Sequence, residues 1–376
     1  MRTSLVDRRS AERLLLLVGA LRSGLIDALE GEEARSLEEV AQAAGTDVRA
    51  SRVVLAALVS EGIVEEVARP GAGVSSGAGA PSGGAPVDAG APSAAVSPPV
   101  GVTPPGASIL YRLSPLGRAH LVDEGPDLER AGLIHEANKL RGWLDLPEVL
   151  RTGRPATSGM ARQNVRSRAL AMGERDPAVL HEVVERCLAY GGPIRTMLDV
   201  GGSVGHLARE FARRGVKTSL FDQEEVLPIA REFLGREFFS EECCGGETGT
   251  AGGAAGVITL LAGDFTVALP PGPFDLVYFG NVLHIYGPET NACAARDAYG
   301  ITVPGGTVAI QDYVWGRGPD AALFAVNMLR STVDGGVWTE DQHREWLSGA
   351  GFVDIEVLDL DTSGAQLVFG RRPRGN

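Results

Sequence analysis

Apolar residues recur at helical spacing through the first part of the chain. The run 11–29 carries them every three or four positions and ends near Gly31, which predicts one long helix. A second helix is expected to begin after Ser36, because Glu39 stands three positions later and the two side chains can form a capping box. Gly45 marks the end of that helix.

The next apolar stretch, VRASRVVLAALVSEG at 48–62, predicts a third helix that starts from Thr46 or Asp47. Two strand-like segments follow. One is IVEEV at 63–67, and the other opens ILYRLSPLGRAHL at 109–121, whose remaining residues predict a further helix. Three helices followed by a two-stranded hairpin are typical of a winged-helix domain.

Two segments have a composition that cannot form a core. Residues 70–108 consist almost wholly of Gly, Ala, Pro, Ser and Val with Asp88 as the single charge, and residues 241–256 are rich in Gly. Such segments bury too little apolar surface to offset the entropy lost on ordering. Both are therefore expected to be disordered insertions, and we assign function to neither.

The rest of the chain is helical between 128 and 190 and then alternates short apolar runs with helical patterns. This alternation predicts an α/β fold with a doubly wound, Rossmann-like and mostly parallel sheet. Only residues 361–364 separate the last two strands, so these are expected to form a hairpin with an antiparallel edge strand. The predicted strands are TMLDV, KTSLFD, GVITLLAG, FDLVYFGN, GTVAIQDYV, VDIEVLDL and AQLVFGR.

Three regions follow from these patterns. They are a winged-helix-like domain at 1–125, connecting helices at 126–190, and an α/β domain at 191–376. Helices such as LLLLVGALRSGLIDAL carry more apolar surface than a small winged helix can bury. A homodimer built by residues 1–67 and 109–190 is therefore predicted.

Composition narrows the range of partners. The chain has 376 residues with 48 acidic and 35 basic side chains and a formal net charge of -13, which disfavours binding to nucleic acid or anionic lipid. The run LLLLVGAL at 14–21 is far shorter than the ~20 apolar residues of a membrane span. The four cysteines lack zinc-site spacing, so we interpret them as free thiols of a cytoplasmic protein.

The segment MLDVGGSVGHLA at 197–208 places a glycine-rich turn directly after a predicted strand, where doubly wound sheets bind ligands. Asp199 would repel a pyrophosphate, and the G-x-G-x-x-G spacing of dinucleotide sites is missing. Asp222 ends the second strand, where a carboxylate can accept hydrogen bonds from two ribose hydroxyls. These features favour an adenosine ligand with a cationic group, such as S-adenosylmethionine, over NAD.

Several stretches in a consistent order carry a resemblance to a known family. In the first domain they are GLIDALEG, ASRVVLAALVSEGIVEE and YRLSPLGRAHL. In the second they are LDVGGSVGHLA, LFDQEEVL, AGDF, FGNVLHIYGPE, VPGGTVAIQDYV and GAGFVDIEV. With them the chain resembles the winged-helix-dimerised, S-adenosylmethionine-dependent O-methyltransferases, which include plant phenolic enzymes and bacterial polyketide-tailoring enzymes. The resemblance implies a homodimer that methylates a small-molecule hydroxyl and releases S-adenosylhomocysteine.

The resemblance also implies the binding residues. Gly280 stands where plant members have a cofactor-contacting lysine, so that contact either passes to Asn281 or is lost. The other implied cofactor contacts are Gly201 at the methionine part, Asp222 at the ribose, and Asp264 and Phe265 at the adenine. The expected acceptor-pocket residues are Asn327 and a trio for which a core role is the alternative: His135, Trp143 and Met172.

His284 matches the family's general base, since a neutral imidazole can take a proton from a phenol or enol. Plant members follow this histidine with Trp-Asp, whereas the run here is HIYGPE, as in bacterial relatives. The segment GGVWTED at 335–341 lacks the glutamate that orients the base in plant members. Either the histidine has no orienting partner or Asp312 serves. His206 is expected to cap or pack, and the remaining helical histidines are expected to be solvated: His120, His181 and His343.

Other functions remain open from the residues alone. The same fold can methylate carbon or nitrogen, and a cofactor-binding enzyme of this kind can act without methyl transfer, for example as a cyclase. A winged-helix regulator would need a basic recognition helix, but the third helix is apolar after Arg49 and Arg52. It suits a dimer interface better. No metal-ligand cluster is evident, so a metal-dependent catechol mechanism is not expected.

Overall fold

The structure, a computed structural model, describes residues 8–68, 109–122, 128–155, 165–173, 176–235, 238–239 and 257–375. Contacts divide the chain into two compact units, Met1–Leu128 and Glu129–Asn376. The insertions predicted at 70–108 and 241–256 lie outside the described residues. The predicted division between connecting helices and α/β domain near residue 190 stays a prediction.

The first unit combines helices with a three-stranded antiparallel sheet. Strand β3 lies between β1 and β2, so the predicted hairpin is confirmed, while the two-residue β1 is too short for an alternating pattern to predict. In chain order its elements are α1 (Arg8–Arg22), β1 (Arg35–Ser36), α2 (Leu37–Ala44), α3 (Val48–Ser60), β2 (Val64–Ala68), β3 (Ile109–Leu113) and α4 (Pro115–Leu121).

The first helix is shorter than its apolar pattern. α1 ends at Arg22, and the residues Asp27–Leu29 form a separate 3-10 turn. Gly24 between them has φ +79°, which lies outside the helical region. The pattern continues past the break because Leu25 and Ile26 are still buried. The apolar periodicity here indicates which residues are buried, and it does not indicate an unbroken helix.

Side chains cap two helices of this unit as the sequence predicts. The Ser36 hydroxyl accepts from the Glu39 amide at 3.3 Å, and the Glu39 carboxylate accepts from the Ser36 amide at 2.7 Å. Asp47, rather than Thr46, caps α3 by accepting from the Ala50 amide at 2.8 Å. These bonds satisfy amides that have no partner within their own helix.

Four helices precede an alternating α/β region in the second unit. The helices are α5 (Arg130–Trp143), α6 (Leu146–Thr152), α7 (Val165–Gly173) and α8 (Pro177–Gly191). They are followed by β4 (Thr196–Val200), α9 (His206–Ala212), β5 (Lys217–Asp222), α10 (Leu227–Leu234), β6 (Ile258–Ala262), β7 (Phe274–Gly280), α11 (Pro288–Ile301), β8 (Thr302–Asp312), β9 (Val314–Trp315), α12 (Pro319–Ser331), β10 (Trp338–Thr339), α13 (Glu340–Ala350), β11 (Val353–Asp359) and β12 (Gln366–Arg371).

Seven of these strands form one sheet in the order β11-β12-β8-β7-β4-β5-β6. Strands β4 to β8 are mutually parallel, and the chain crosses over at β4 to build the second half of the sheet. The predicted doubly wound α/β fold is confirmed. Strands β9 and β10 form a separate short parallel pair that the sequence did not predict.

The last two strands form the predicted hairpin, and the edge strand pairs antiparallel with its neighbour, as expected. β12 pairs antiparallel with β8 on one side and with β11 on the other, so β11 forms the edge. Burial explains the order, because residues 366–370 of β12 are buried whereas β11 has no buried residue. A short connection predicts a hairpin but leaves open which of its strands joins the sheet.

The parallel strands end at one edge of the sheet. Four of them place there the residues that the sequence singled out, since β4 leads into the glycine turn and β5, β7 and β8 end at Asp222, Gly280 and Asp312. This edge is where the candidate site lies.

Two further sequence-based predictions concern location and thiols. Among the described residues no helix is both long and apolar enough to cross a membrane, and the cytoplasmic location stays a prediction. Cys187 is buried and Cys293 is exposed, and both are free thiols. The adjacent Cys243 and Cys244 lie outside the described residues.

Glu182 on α8 ties this helix to the turn between β11 and β12. Its carboxylate accepts from the amides of Asp361 and Thr362 at 2.9 Å each and from the Thr362 hydroxyl at 2.6 Å. Burial works to raise the pKa of Glu182, but the hydrogen bonds from Thr362, Asp361 and Arg186 outweigh it and lower the pKa to about 2. The folded state therefore stabilises the ionised form.

We expect Glu182→Gln to lower the free energy of unfolding at pH 7 by about 1–3 kcal/mol, because the turn loses a charged acceptor. The folded pKa lies below the ordinary value of 4.5, so this contribution is complete above that pH and is lost as the pH falls towards about 2. Urea denaturation at pH 7 and near pH 3 measures both effects.

Glu185→Gln is the control, because Glu185 lies on the same helix, is half exposed and pairs with Arg214 at 3.3 Å. Equal losses from the two substitutions would contradict the assigned role of Glu182. So would a difference between wild type and Glu182→Gln that does not shrink at the lower pH.

Candidate active site

The glycine turn after β4 is shaped by packing within the protein. Gly201 has φ +68°, and a Cβ atom there would lie 2.6 Å from Cγ2 of Val282, which follows β7. The Gly201 amide donates to the carbonyl of Phe221 at 2.8 Å. Glycine at this position is thus required by the left-handed backbone and by the close approach of Val282. Residues of β5 and of the segment after β7 thus fix the conformation of the turn from its two sides.

Asp222 lies at the end of β5 with both carboxylate oxygens anchored. Oδ2 accepts from the Ser203 amide at 2.8 Å, and Oδ1 accepts from the Gln223 amide at 2.7 Å. Each oxygen keeps a second lone pair for a further donor. Burial raises the pKa of Asp222, and the two amides and the charge of Arg168 on α7 oppose this rise. No sequence motif marked Arg168, which brings a cation close to this carboxylate.

Asp264 and Phe265 follow β6 at the same edge. Oδ1 of Asp264 accepts from the amide and the hydroxyl of Thr266 at 2.9 and 2.7 Å, which fixes the local turn. The Phe265 ring is buried and lies edge-on to Phe279 at 6.1 Å and to Tyr286 at 5.0 Å between ring centres. The aromatic side chain therefore has a fixed position beside the Asp264 carboxylate.

Asn281 directly follows β7 and adopts a left-handed backbone with φ +57°. Its amide donates to the carbonyl of Gln311 on β8 at 2.8 Å, so the strained residue is held by the sheet. The preceding Gly280 has no space for a side chain, because a Cβ atom there would lie 2.6 Å from Cε1 of Tyr278. A side chain at this position would therefore require the Tyr278 ring to move.

His284 and Asp312 form a buried pair between the ends of β7 and β8. Nδ1 of His284 lies 2.8 Å from Oδ1 and 3.0 Å from Oδ2 of Asp312, and the His284 amide donates to Oδ2 at 3.1 Å. The Tyr313 amide donates to Oδ1 at 2.9 Å. A carboxylate only accepts, so Nδ1 carries a proton, and in the neutral ring Nε2 then has the lone pair. Of the two possibilities left by the sequence, the structure gives the histidine an orienting partner.

Segment 335–338 supports the main chain of His284 rather than its ring. The Gly336 amide donates to the His284 carbonyl at 2.9 Å, and the Trp338 indole donates to the Leu283 carbonyl at 3.3 Å. The nearby carboxylate of Glu340 is bonded to Arg317 and Arg344. It therefore does not act as the partner of His284.

His343 corrects the expectation that this histidine is solvated. Its side chain is fully buried on α13 and lies 5.1 Å from the Trp346 ring. Burial lowers the pKa of His343 to about 4, against the opposing charge of Asp312. His181 is exposed as expected, and His206 packs edge-on against Phe233 at 4.4 Å. Helical spacing with Trp346 and Leu347 was the available signal for the burial of His343.

The expected acceptor-pocket residues lie on three helices. Trp143 on α5 and Asn327 on α12 are brought together by Arg330, which contacts both side chains. His135 lies on α5 and Met172 on α7, two helices that pack against each other. Phe324, which sequence analysis missed, lies on α12 with its ring 4.8 Å from that of His284. Its position one helical turn before Asn327 was the signal that could have identified it.

The chain is similar to known proteins in sequence and in fold. Residues 171–353 match the model of the O-methyltransferase domain family. The tetracenomycin polyketide synthesis 8-O-methyl transferase of Streptomyces glaucescens is 26% identical over 294 residues, covering 70% of this chain and 77% of that protein. The 3-amino-4-hydroxybenzoate 4-O-methyltransferase of Streptomyces cremeus is 24% identical over 278 residues, covering 67% and 69%. The crystal structure of human N-acetylserotonin methyltransferase in complex with SAM shares the fold, with a TM-score of 0.66 at 20% identity over 99% of this chain and 100% of that one.

The packing of the glycine turn predicts the effect of a single methyl group. Gly201→Ala is expected to lower the free energy of unfolding by roughly 1–3 kcal/mol, because backbone strain and the clash with Val282 add. Gly153→Ala is the matched control, since Gly153 has φ +65° but no heavy atom lies within 4 Å of the place that its Cβ atom would take. Urea denaturation of both variants, and of Gly201→Ala combined with Val282→Ala, measures the strain and the clash separately. Equal losses at the two glycines would show that the clash is absent.

Proposed function

We propose that the chain, whose residues 171–353 match the O-methyltransferase domain family, is an S-adenosylmethionine-dependent O-methyltransferase that methylates a phenol or enol hydroxyl of a small natural product such as a polyketide. The observation that carries this proposal is the His284–Asp312 pair at the carboxyl edge of the sheet. It supplies an oriented base next to the glycine turn. Methyl transfer to a hydroxyl needs such a base together with a held methyl donor.

The residues at the edge fit an adenosine cofactor. When bound there, S-adenosylmethionine supplies an activated methyl group carried on a cationic sulfur. Asp222 keeps acceptor capacity on both oxygens for the two ribose hydroxyls, and Gly201 lets the backbone approach the amino-acid part. Arg168 is the cation suited to the carboxylate of that part. We assign the adenine to Asp264 and Phe265, and a further cofactor contact to Asn281.

The proposed chemistry uses His284 as general base. Nε2 takes the proton of the acceptor hydroxyl while the acceptor oxygen forms its bond to the methyl carbon, and S-adenosylhomocysteine is the second product. Asp312 holds the Nδ1 proton and so keeps Nε2 free to accept. Its negative charge also stabilises the ring once that ring is protonated. Burial of the pair strengthens both effects, because little water competes for the hydrogen bonds.

We place the acceptor beside α5, α7 and α12. Phe324 contacts the ring of His284, so a flat acceptor at the base lies next to an aromatic side chain. Trp143 and Asn327 form the neighbouring cluster, and His135 and Met172 are assigned to the same pocket. Two relatives are named for the methylation of aromatic or polyketide hydroxyls, which supports the acceptor class.

We also propose that the chain is a homodimer formed through the first unit. Large apolar side chains stay exposed on its helices, among them Leu15, Val53 and Leu116. A second copy of the chain would cover them. Light scattering measures the mass of the protein in solution, and we expect the mass of a dimer.

Transfer to carbon or nitrogen is the competing chemistry of the same fold. Methyl-labelled S-adenosylmethionine, incubated with the protein and a panel of phenols, enolic lactones and aromatic amines, tests the proposal directly. The carbon shift of the labelled methyl group distinguishes an ether from a C- or N-methyl product. An O-methyl product is expected. Labelled products restricted to carbon or nitrogen would overturn the assignment to hydroxyls.

Asp222→Ala is expected to weaken binding of S-adenosylmethionine at least about tenfold while the fold survives. The reason is the loss of charge-assisted bonds to two ribose hydroxyls, each worth ~1.5–3 kcal/mol. Isothermal titration calorimetry measures the affinity, with the exposed Asp297→Ala as control for the loss of one charge. Unchanged affinity in Asp222→Ala would remove the ribose assignment.

His284→Ala is expected to lower kcat by ~100- to 10,000-fold with the affinity for S-adenosylmethionine nearly unchanged. Asp312→Asn keeps the size of the side chain but lowers kcat by up to ~10,000-fold, because the ring loses its charged partner. With an acidic enol as acceptor the loss shrinks towards tenfold, since positioning then supplies most of the acceleration.

His181→Ala, at an exposed histidine, serves as the control for these variants. A His284→Ala protein with full activity would exclude His284 as the base. Catalysis would then rest on positioning alone.

A further inference from the structure

Arg330 near the end of α12 is held in one place by three contacts. Its Nη2 donates to Oδ1 of Asn327 at 2.5 Å, and its Cζ lies 5.6 Å from the centre of the Trp143 ring. A Cβ atom at Gly142 would collide with Nη1, so the guanidinium sits directly against the backbone of α5. The absence of a side chain at Gly142 leaves the room for this cation.

The charge of Arg330 has no close carboxylate partner within the described part of the chain. No carboxylate oxygen there reaches the 4.0 Å of an ion pair with this guanidinium, and its Nε is buried without an acceptor. Burial lowers the pKa of Arg330, and the more distant Glu136 and Asp145 oppose this shift. Glu136 is itself paired with Lys139 at 2.7 Å. A half-buried cation in this state favours the binding of an anion.

Arg330 lies on the same helix as Phe324, which contacts the proposed base. Phe324 contacts the His284 ring, Asn327 follows one helical turn later, and Arg330 lies about 9 Å beyond Phe324 along the axis, at about 1.5 Å per residue. Because Oδ1 of Asn327 accepts from Arg330, the amide has its Nδ2 hydrogens left to donate. Along α12 the chain thus places an aromatic ring beside the base, then an amide donor, then a cation.

We propose that Arg330 and Asn327 bind the carboxylate of the acceptor, which makes the acceptor an aromatic hydroxy acid with its acid group about two helical turns from the methylated hydroxyl. This inference rests on the proposed function and names the substrate class of the same site. A planar guanidinium matches a carboxylate with two N–H donors, and the Asn327 amide adds another. The aromatic side chains of Phe324 and Trp143 suit the ring system between the two polar groups.

The experiment compares an acid with neutral analogues of the same shape. The probes are a hydroxynaphthoic acid with its two groups at opposite ends of the ring system, the methyl ester of that acid, and the unsubstituted naphthol. Calorimetry measures the binding of each probe to protein saturated with S-adenosylhomocysteine, so that no turnover is needed. The variants are Arg330→Gln, Arg330→Lys and, as control, Arg141→Gln, which removes an exposed charge of α5.

Wild-type protein is expected to bind the acid at least tenfold more tightly than the ester or the naphthol. Arg330→Gln should abolish this preference without changing the affinity for S-adenosylmethionine, and Arg330→Lys should retain part of it because the charge remains. Arg141→Gln should behave as wild type. Added salt should weaken binding of the acid but not of the ester.

Equal affinity of the wild type for acid and ester, or no measurable binding of the acid, would overturn the proposal. The same fold-loss for acid and ester in Arg330→Gln would show that the residue only holds α12 against α5. Failure of the proposed function gives a different result, since binding of the acid would persist while no hydroxyl is methylated. The two failures are therefore distinguishable.

Discussion

The hydrogen bonds between His284 and Asp312 organise the carboxyl edge of the sheet. They join the ends of two neighbouring parallel strands, and Asp312 accepts from the amide as well as the ring of His284. Both side chains are buried, so the bonds act in a medium where little water competes with them. The amide of Gly336 then supports the same loop through the His284 carbonyl. A displaced Asp312 would disturb the ring, its proton and the loop together.

Elsewhere along this edge, steric contacts rather than a charged pair fix the course of the backbone. Val282 leaves no room for a side chain at Gly201, and Tyr278 leaves none at Gly280. The backbone there is consequently open to close approach by a ligand, and Asp222 supplies the anchored carboxylate. The proposed cofactor thus occupies the β4–β5 side and the proposed base the β7–β8 side of one sheet. The acceptor would meet them from the helices beside this edge.

Those helices carry the side chains that we assign to acceptor choice. The fold is shared with a protein only 20% identical, as expected where the packing of apolar layers sets the architecture. The Trp143–Arg330–Asn327 cluster, in contrast, depends on a few side chains of α5 and α12. A cation without a nearby carboxylate among the described residues is costly unless a ligand uses it. The proposed specificity therefore resides in helices outside the sheet.

The sequence by itself determined the elements and their class. The predicted strands TMLDV and KTSLFD coincide with β4 and β5, because a short apolar run between turn residues is a local property of the chain. The glycine turn, Asp222 and His284 were identified from spacing and from the family resemblance. Whether His284 has an orienting carboxylate remained open, because Asp312 lies 28 residues away and no local pattern joins the two.

Only the tertiary structure decided which segments meet. It placed β12 inside the sheet, buried His343 against Trp346, and set Arg330 against Trp143. Each of these depends on packing that a linear pattern does not specify, and periodicity carries no information about the partner of an apolar or charged face. Local hydrogen bonding, such as the capping box of Ser36 and Glu39, can be predicted from neighbouring residues. Which side chains meet across the core depends on the shape and charge of the whole folded unit.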